Sequence, residues 1–255
     1  MARILITGSS DGIGAVAARK LIQQGHSVIL HARNESRAAD AKAACPGAED
    51  CLIADLSSIA DTRKLAAEAN KKYGALDAVV HNAGIGYNAA AQRTQGVSTM
   101  FLVNSLAPFV LTSLMDKPKH LVYVSSGLHT GGDDSLKDVG WQERKKIEAF
   151  QAYSDTKLHN AIFSAAVARL WPDVRATSVD PGWVPTKLGS YSAPGDIDSS
   201  GDVIAWLATE GGKSGKHYGP HRREKSAHRA AADISKQDQL LEIYENMSGV
   251  KFAEQ

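Results

Sequence analysis

A tyrosine and a lysine, Tyr153 and Lys157, stand four residues apart at the start of a predicted helix. This spacing brings the two side chains to one face of the helix, within reach of a common ligand. A phenol with its ordinary pKa of about 10 is a poor base at neutral pH. We expect the neighbouring ammonium to lower that pKa, so that the pair can exchange a proton with a carbonyl or alcohol oxygen.

Two further polar side chains are candidates for the same site. Ser126 ends the fifth predicted strand, where its hydroxyl could hold a substrate oxygen, and Ser125 is the weaker candidate for that role. Asn104 lies in an apolar helical stretch, where a buried amide needs a hydrogen-bond partner. A structural bond to the backbone and a role in the site can coexist at Asn104.

A glycine-rich turn separates the first predicted strand from the first predicted helix. Gly8 allows a sharp turn, Gly12 lets backbone N–H groups approach a pyrophosphate at the helix N-terminus, and Gly14 lets helix and strand pack closely. The turn predicts dinucleotide binding, although such turns also serve plain geometry. Its candidate cofactor-binding residues are Gly8, Ser10, Gly12, Ile13 and Gly14.

Arg33 follows the second strand, about 20 residues beyond the glycine turn, where an acidic residue would bind a ribose 2′-hydroxyl. An arginine there can instead pair with a 2′-phosphate and stack on adenine. The sequence therefore predicts NADP(H) in preference to NAD(H), the alternative being an arginine that extends into solvent from a strand end. Asp11 adds a negative charge to the same turn and could hold Arg33 or Arg37 in place.

Six short apolar runs, with no strict polar alternation, read as buried strands: residues 3–7, 27–32, 51–54, 77–81, 120–125 and 174–179. Runs of this kind are typical of a parallel sheet that is covered on both faces. Segments with helical spacing lie between them, including residues 57–73, 94–115 and 150–171. We therefore predict an α/β fold in which a doubly wound parallel sheet (Rossmann fold) of about seven strands is flanked by helices.

The chain is predicted to form a single domain over residues 1–255, with no linker or repeat. Two polar segments interrupt the alternation, at about residues 127–150 and 185–201. Each follows a strand of the second half, where loops line the ligand crevice of such a sheet. We therefore interpret both segments as lids.

Composition excludes several classes of function. Lys and Arg total 29 and Asp and Glu total 28, so the formal net charge is +1, which argues against nucleic acid or an anionic membrane as a partner. No leader-like or membrane-spanning apolar segment is found. Cys45 and Cys51 have no partners at metal-binding spacing, so we expect no metal, two reduced thiols and a cytoplasmic location.

Taken together, the motifs resemble the short-chain dehydrogenase/reductase family over nearly the whole chain. The long segment after Ser126 and the tail at residues 239–250 resemble its retinol dehydrogenase and WW-domain-oxidoreductase branch. Because no membrane anchor is found, we expect a soluble carbonyl reductase. The motifs are, in order, Thr7-Gly8-x-x-x-Gly12-x-Gly14, His81-Asn82-Ala83-Gly84, Asn104, Ser126, Tyr153-x-x-x-Lys157, and Asp180-Pro181-Gly182 through Thr186.

The resemblance assigns roles to the candidate residues. Tyr153 would be the acid/base, and Lys157 would lower its pKa and bind the nicotinamide ribose. Ser126 would orient the substrate oxygen, and Asn104 would anchor a water in a proton relay. The further residues implied to bind the cofactor are Asp55, Leu56, Asn82, Ala83, Gly84, Lys157, Pro181, Gly182 and Thr186.

The expected reaction is hydride transfer between the nicotinamide of NADP(H) and a small-molecule carbonyl or secondary alcohol. The alternative is a non-catalytic NADP(H)-sensing regulatory protein with a reductase-like fold. Family members often pair into dimers or tetramers through two long helices, here residues 94–115 and 150–171, although the C-terminal tail could alter that. Trp183 either contacts substrate or fills a loop core, and His129 is expected to be a solvated loop residue.

Overall fold

A central eight-stranded sheet organises the computed structural model, which describes residues 1–89 and 91–253. The strands of this sheet are β1 (Arg3–Ile6), β2 (Ser27–Ala32), β3 (Asp50–Ile53), β4 (Ala78–His81), β7 (His120–Val124), β8 (Arg175–Val179), β9 (His217–Tyr218) and β10 (Glu224–Lys225). A separate antiparallel pair consists of β5 (Arg93–Thr94) and β6 (Val97–Ser98). All six predicted strands are present, each within one residue of the predicted bounds.

Helices cover both faces of the sheet. They are α1 (Gly12–Gln23), α2 (Glu35–Ala44), α3 (Ile59–Tyr73), α4 (Thr99–Phe101), α5 (Ala107–Leu114), α6 (Ala149–Leu170), α7 (Ile197–Thr209) and α8 (Ile234–Ser248). Local sequence fixes their ends as expected: the Ser58 hydroxyl caps α3 by accepting from the Asp61 N–H, and Gly74 ends it with a positive φ of 63°. The predicted Rossmann-type α/β fold is confirmed.

The strand order is β10-β9-β8-β7-β4-β1-β2-β3, and every pair is parallel except β9 with β10. From β1 the chain builds first towards β2 and β3, and then returns to add β4, β7 and β8 on the other side. The carboxyl ends of β1 and β4 therefore flank a topological switch point, which is where open α/β sheets bind ligands.

The prediction of one long helix over residues 94–115 is wrong for the first part of that range. Residues 93–98 form the β5–β6 pair, and the helix that begins at Thr99 widens into a π-helical turn at Leu102–Leu106 before α5. Pro108 has no N–H, so it cannot donate to the carbonyl of Asn104 four residues earlier. Single π-helical turns are often found at functional sites, and this one contains Asn104.

The C-terminal helix packs against both of the helices through which pairing with another subunit was expected. The ring centroid of Tyr244 in α8 lies 5.1 Å from that of Phe109 in α5 and 5.8 Å from that of Phe163 in α6. Phe252 then stacks on Trp171 at the end of α6, with their ring centroids 4.7 Å apart. This face of α5 and α6 is therefore occupied by the chain's own tail.

The two cysteines lie outside the switch-point crevice. Cys45 and Cys51 are both buried and free, and burial raises the pKa of the Cys51 thiol to about 11, so that it stays protonated at neutral pH. Among residues 1–89 and 91–253, no cluster of three or more His, Cys, Asp or Glu side chains could hold a metal ion. Within the same ranges, no helix has the length and apolar character needed to cross a bilayer.

Candidate active site

A cleft of about 1180 Å³ opens at the switch point. It runs from the glycine turn, past the ends of β2, β4 and β7, to the start of α6. Of the candidate residues, Asn104 alone is not on its wall; it lies directly behind. The candidate residues that line the cleft are Gly8, Ser10, Gly12, Ile13, Gly14, Arg33, Asp55, Leu56, Asn82, Ala83, Gly84, Ser126, Tyr153, Lys157, Pro181, Gly182 and Thr186.

The glycine turn has the geometry that a phosphate-binding loop requires. Gly8 and Gly12 have positive φ angles of 64° and 56°, which L side chains rarely adopt. A Cβ atom on Gly14 would lie 2.4 Å from the side-chain nitrogen of Asn82 and 2.7 Å from the Gly8 carbonyl oxygen. Asp11 precedes α1 but does not cap it with its side chain. The N-terminus of α1 is therefore suited to the phosphates of a dinucleotide.

Two side chains, those of Asn82 and His31, stabilise the turn through hydrogen bonds. Asn82 donates through its side-chain nitrogen to the carbonyl oxygens of Thr7 (2.8 Å) and Gly8 (3.0 Å). His31 accepts from the Gly8 N–H at 3.0 Å, so its other ring nitrogen donates to the Ala54 carbonyl at 3.1 Å. Burial lowers the pKa of His31 to about 4, which keeps the ring neutral for both bonds. The sequence reasoning missed His31, because a lone histidine within a strand has no distinguishing spacing.

Asp11 is the centre of a small ion-pair network at the mouth of the turn. Its carboxylate lies 2.5 Å from the Arg37 guanidinium and 3.0 Å from the Lys187 ammonium. Burial alone would raise the pKa of Asp11, but the two cations outweigh burial and hold it below its usual range. Arg37 also donates to the Ser10 hydroxyl at 2.9 Å, whereas Arg33 is exposed on the cleft wall. Of the two partners considered for Asp11, the structure pairs it with Arg37.

Tyr153 and Lys157 meet at the carboxyl end of β7. The Lys157 ammonium lies 5.4 Å from the centroid of the Tyr153 ring and donates to the Val124 carbonyl at 2.9 Å. Both residues are buried, at 5% and 3% exposure. Burial lowers the pKa of Lys157 to about 8.

The expected lowering of the Tyr153 pKa is not found. Burial raises the pKa of Tyr153 to about 12, and hydrogen bonding with Ser126 offsets only part of that rise. Because the Lys157 ammonium is directed at the Val124 carbonyl, desolvation decides the protonation state of the phenol. Tyr153 is therefore protonated at neutral pH in this structure.

The two serines at the end of β7 have different surroundings. The Ser125 hydroxyl donates to the Lys157 carbonyl at 2.7 Å and is buried. The Ser126 hydroxyl lies on the cleft wall, faces Tyr153 and accepts from the Leu128 N–H at 3.2 Å. Both serines line the cleft, but the Ser125 hydroxyl is already committed to the Lys157 carbonyl, whereas the Ser126 hydroxyl faces Tyr153.

Asn104 has a structural role and also lies beside the site. Its side-chain oxygen accepts from the Ile85 N–H at 2.7 Å, and its nitrogen donates to the Ile85 carbonyl at 3.0 Å. These bonds fix the strand-end segment that contains Gly84. A Cβ atom on Gly84 would lie 3.5 Å from the Asn104 side-chain oxygen and 3.7 Å from the Lys157 ammonium. Gly84 therefore lies between the Asn104 amide and the Lys157 ammonium, at ordinary van der Waals distances from both.

His129 and Trp183 flank the site, one buried and one exposed. His129 is not solvated: it is 3% exposed, and it donates to the Ser126 carbonyl at 2.6 Å and accepts from the His228 N–H at 3.1 Å. The expectation was wrong because the C-terminal segment folds over this turn. Trp183 lies on the cleft wall with 57% of its surface exposed, so it does not fill a loop core.

The segment predicted as a second lid is tied to the cleft on both sides. Lys187 contacts Asp11 of the glycine turn, and its carbonyl accepts from the Asn88 side chain at 2.8 Å. Thr186 lies over the turn, with a methyl carbon 3.6 Å from where a Cβ of Gly12 would be. The segment that begins at Pro185 therefore borders the cleft beside the glycine turn, and its role as a lid stays a prediction.

Comparison with known proteins identifies the family. A family model described as short chain dehydrogenase matches residues 2–127. An uncharacterized oxidoreductase of Emericella nidulans is 48% identical, and the short-chain dehydrogenase chry4 of Gibberella zeae is 41% identical, each over 98% of both chains. Retinol dehydrogenase 14 of Mus musculus is 27% identical over 97% of this chain and 86% of its own. The chain belongs to the short-chain dehydrogenase family, as predicted.

Solved structures agree with this assignment. A protein of Mycobacterium paratuberculosis superimposes with a TM-score of 0.86 at 25% identity, covering 99% of this chain and 95% of its own. A metagenomic short-chain oxidoreductase in complex with NADP has a TM-score of 0.62 at 25% identity, with coverage of 82% and 91%. Fold and family together define an oxidoreductase of the short-chain dehydrogenase class.

The close contact at Gly14 yields a test of the glycine turn. We expect Gly14→Ala to destabilise the protein by about 1–3 kcal/mol, as overpacking does, and to weaken dinucleotide binding, because the new methyl displaces the Asn82 amide. Thermal unfolding and titration with NADP⁺ measure the two effects. Gly131→Ala is the matched control, since a Cβ there meets no atom within 4 Å. Unchanged stability and unchanged binding in Gly14→Ala would contradict this account of the turn.

Proposed function

We propose that the protein is an NADP(H)-dependent oxidoreductase that transfers a hydride between nicotinamide and a carbonyl or secondary alcohol. The observation that carries the proposal is the convergence of Tyr153, Ser126 and Lys157 on one cleft with an uncapped, glycine-lined helix N-terminus. The glycine turn is suited to bind the cofactor's phosphates. The tyrosine is suited to act as the acid/base that gives a proton to the substrate's carbonyl oxygen or takes one from its alcohol oxygen.

In the direction of reduction, Tyr153 acts as the acid. When bound, the nicotinamide supplies the hydride to the carbonyl carbon. Ser126 donates a hydrogen bond to the carbonyl oxygen and holds it next to the phenol. With a pKa of about 12, Tyr153 carries its proton at neutral pH and gives it to that oxygen as negative charge develops. In the direction of oxidation, the same groups act in reverse.

Lys157 and Asn104 support this proton transfer. Lys157, with a pKa of about 8, is mostly charged at neutral pH, so it stabilises the phenolate that Tyr153 becomes after it gives up its proton. Its place beside Gly84 also suits it to bind the nicotinamide ribose. Asn104 positions the Gly84–Ile85 segment through the two hydrogen bonds of its side chain to Ile85. Its backbone carbonyl receives no hydrogen bond from Pro108, which has no N–H, and is therefore suited to anchor a water.

The preference for NADP(H) rests on the charges around the adenosine end of the cleft. Arg33 takes the position where an acid would repel a 2′-phosphate, and Arg37 and Ser10 lie on the same wall. The charge of Asp11 is offset by Arg37 and Lys187, which reduces its repulsion of a phosphate. The related metagenomic oxidoreductase, crystallised with NADP, supports the same choice.

The partner we propose is a small-molecule substrate rather than a second macromolecule. A cleft of this volume holds a dinucleotide together with a small carbonyl compound. Because α8 covers the joint face of α5 and α6, we also propose that the chain does not form a dimer through those helices.

Removing the phenolic hydroxyl tests the acid/base assignment. Tyr153→Phe should lower the turnover of an NADPH-dependent carbonyl reduction by at least ~10²-fold, because the proton donor is lost, while the thermal stability stays close to that of the wild type. Tyr244→Phe removes a buried hydroxyl outside the cleft that has no hydrogen-bond partner among the described residues, and it should leave turnover unchanged. Near-normal turnover of Tyr153→Phe would contradict the assignment. A wild-type protein that binds NADPH but reduces no carbonyl compound would favour the regulatory alternative.

Reversing the charge at Arg33 tests the cofactor preference. Arg33→Asp should raise the Kd for NADPH by about tenfold or more, since a charge-assisted bond to the phosphate is replaced by repulsion, and should change the Kd for NADH much less. Lys42→Asp makes the same charge change at an exposed position of α2 outside the cleft. Equal losses for the two cofactors would mean that Arg33 does not contact the 2′-phosphate.

A further inference from the structure

The cleft extends beyond Tyr153 into a region whose wall is mainly apolar. We call this region the outer pocket and define it by Tyr87, Leu128, Ile147, Phe150, Trp183 and Leu188. Four of these residues, Tyr87, Leu128, Ile147 and Leu188, belong to the same apolar cluster as the Tyr153 ring. A molecule with its carbonyl at Tyr153 would place the rest of its body here.

Three aromatic rings form a continuous row from the phenol outwards. Tyr87 meets the Tyr153 ring edge to face, with centroids 5.7 Å apart, and meets the Phe150 ring in the same way at 5.3 Å. Phe150 lies one helical turn before Tyr153 in α6, so the two share a face of the helix. The rings of Tyr87 and Phe150 therefore extend the wall that begins at the catalytic tyrosine.

A fourth ring, that of Trp183, belongs to the loop after β8 and lies on the same cleft wall. The indole N–H of Trp183 donates to the Gly189 carbonyl, which fixes the edge of the ring, yet 57% of the side chain is exposed. Phe150 is 54% exposed. Large apolar side chains held at a cleft mouth in this way are typical of a ligand-binding surface.

The distribution of charge along the cleft wall further limits the chemical class of the substrate. The charged side chains on the described cleft wall lie at the glycine turn and adenosine end, or at Lys157, Asp180 and Lys187. Among the described cleft-wall residues at positions 84–103 and 127–153, the parts of the chain that contain Tyr87 and Phe150, none is charged. An anionic substrate or an acyl group on a phosphorylated carrier would therefore find no counter-ion there, whereas aromatic rings interact favourably with one another edge to face or offset.

We propose that the substrate is an uncharged aryl ketone, or the corresponding aryl secondary alcohol, with its ring against Tyr87 and Phe150. The inference rests on the proposed function and adds the substrate class. In the reduction, the carbonyl carbon gains the hydride that the proposed NADPH gives up, the π bond of the carbonyl breaks, and the oxygen takes the Tyr153 proton. NADPH is thereby oxidised to NADP⁺, and Tyr153 regains its proton from solvent.

The test compares acetophenone with cyclohexyl methyl ketone, which has a similar size but no aromatic ring. Wild-type protein with NADPH should show a kcat/KM about tenfold higher for acetophenone, in line with the strength of aromatic pairs. Phe150→Leu and Tyr87→Leu keep the pocket apolar and should bring the ratio close to one, mainly by raising the KM for acetophenone. Ile234→Ala, at an exposed apolar residue outside the cleft and outside both predicted lids, should leave the ratio unchanged. 4-Acetylbenzoate, which adds a carboxylate, should be reduced poorly.

The outcomes separate the two proposals. Reduction of both ketones with no preference for acetophenone, or a preference that survives in both leucine variants, would overturn the aryl assignment and leave the oxidoreductase proposal in place. Efficient reduction of 4-acetylbenzoate would likewise overturn the claim of an uncharged substrate. No reduction of any ketone by folded protein that binds NADPH would contradict the proposed function itself.

Discussion

The Lys157 ammonium is buried against the Val124 carbonyl, and this contact joins α6 to the end of β7. Taking an ammonium out of water costs several kcal/mol unless it is hydrogen-bonded, so the contact strongly restrains the helix. Two neighbouring bonds reinforce it, from Asn160 to the same carbonyl and from Ser125 to the Lys157 carbonyl. Because Tyr153 lies one turn before Lys157 and Ser126 follows Ser125, the same junction brings the phenol and the serine hydroxyl together.

Burial at this junction has opposite effects on the two titratable groups. It raises the pKa of the phenol and lowers the pKa of the ammonium, so both neutral forms are favoured. The consequence at neutral pH is a protonated tyrosine beside a lysine that is still mostly charged. Such a pair is arranged to donate a proton first and to stabilise the resulting anion afterwards, which suits carbonyl reduction.

Much of the fold and of the site could be predicted from the sequence because the relevant signals are local. Apolar runs located the strands, and the spacing of Tyr153 and Lys157 placed them on one helical face. The glycine turn was identifiable for the same reason: its conformation and its close contacts follow from residues within one short segment.

What could not be predicted depends on contacts between distant segments. His129 is buried against His217 and His228, which follow it by 88 and 99 residues. The pairing of Asp11 with Arg37 and Lys187, and the bracing of Gly8 by His31, likewise join separate parts of the chain. The direction of the Tyr153 pKa shift depends on the degree of burial, which spacing along a helix does not reveal.

The most direct test of this account is an ultraviolet titration of tyrosinate in wild-type protein and in Tyr153→Phe, both without cofactor. Since burial raises the pKa of Tyr153 to about 12, the two proteins should show the same tyrosinate absorbance from neutral pH up to about pH 10, the range in which unperturbed phenols begin to ionise. An additional tyrosinate in the wild type, with a midpoint near neutral pH, would contradict the claim that burial keeps Tyr153 protonated. That result would mean that the lysine, and not burial, sets the protonation state of the phenol.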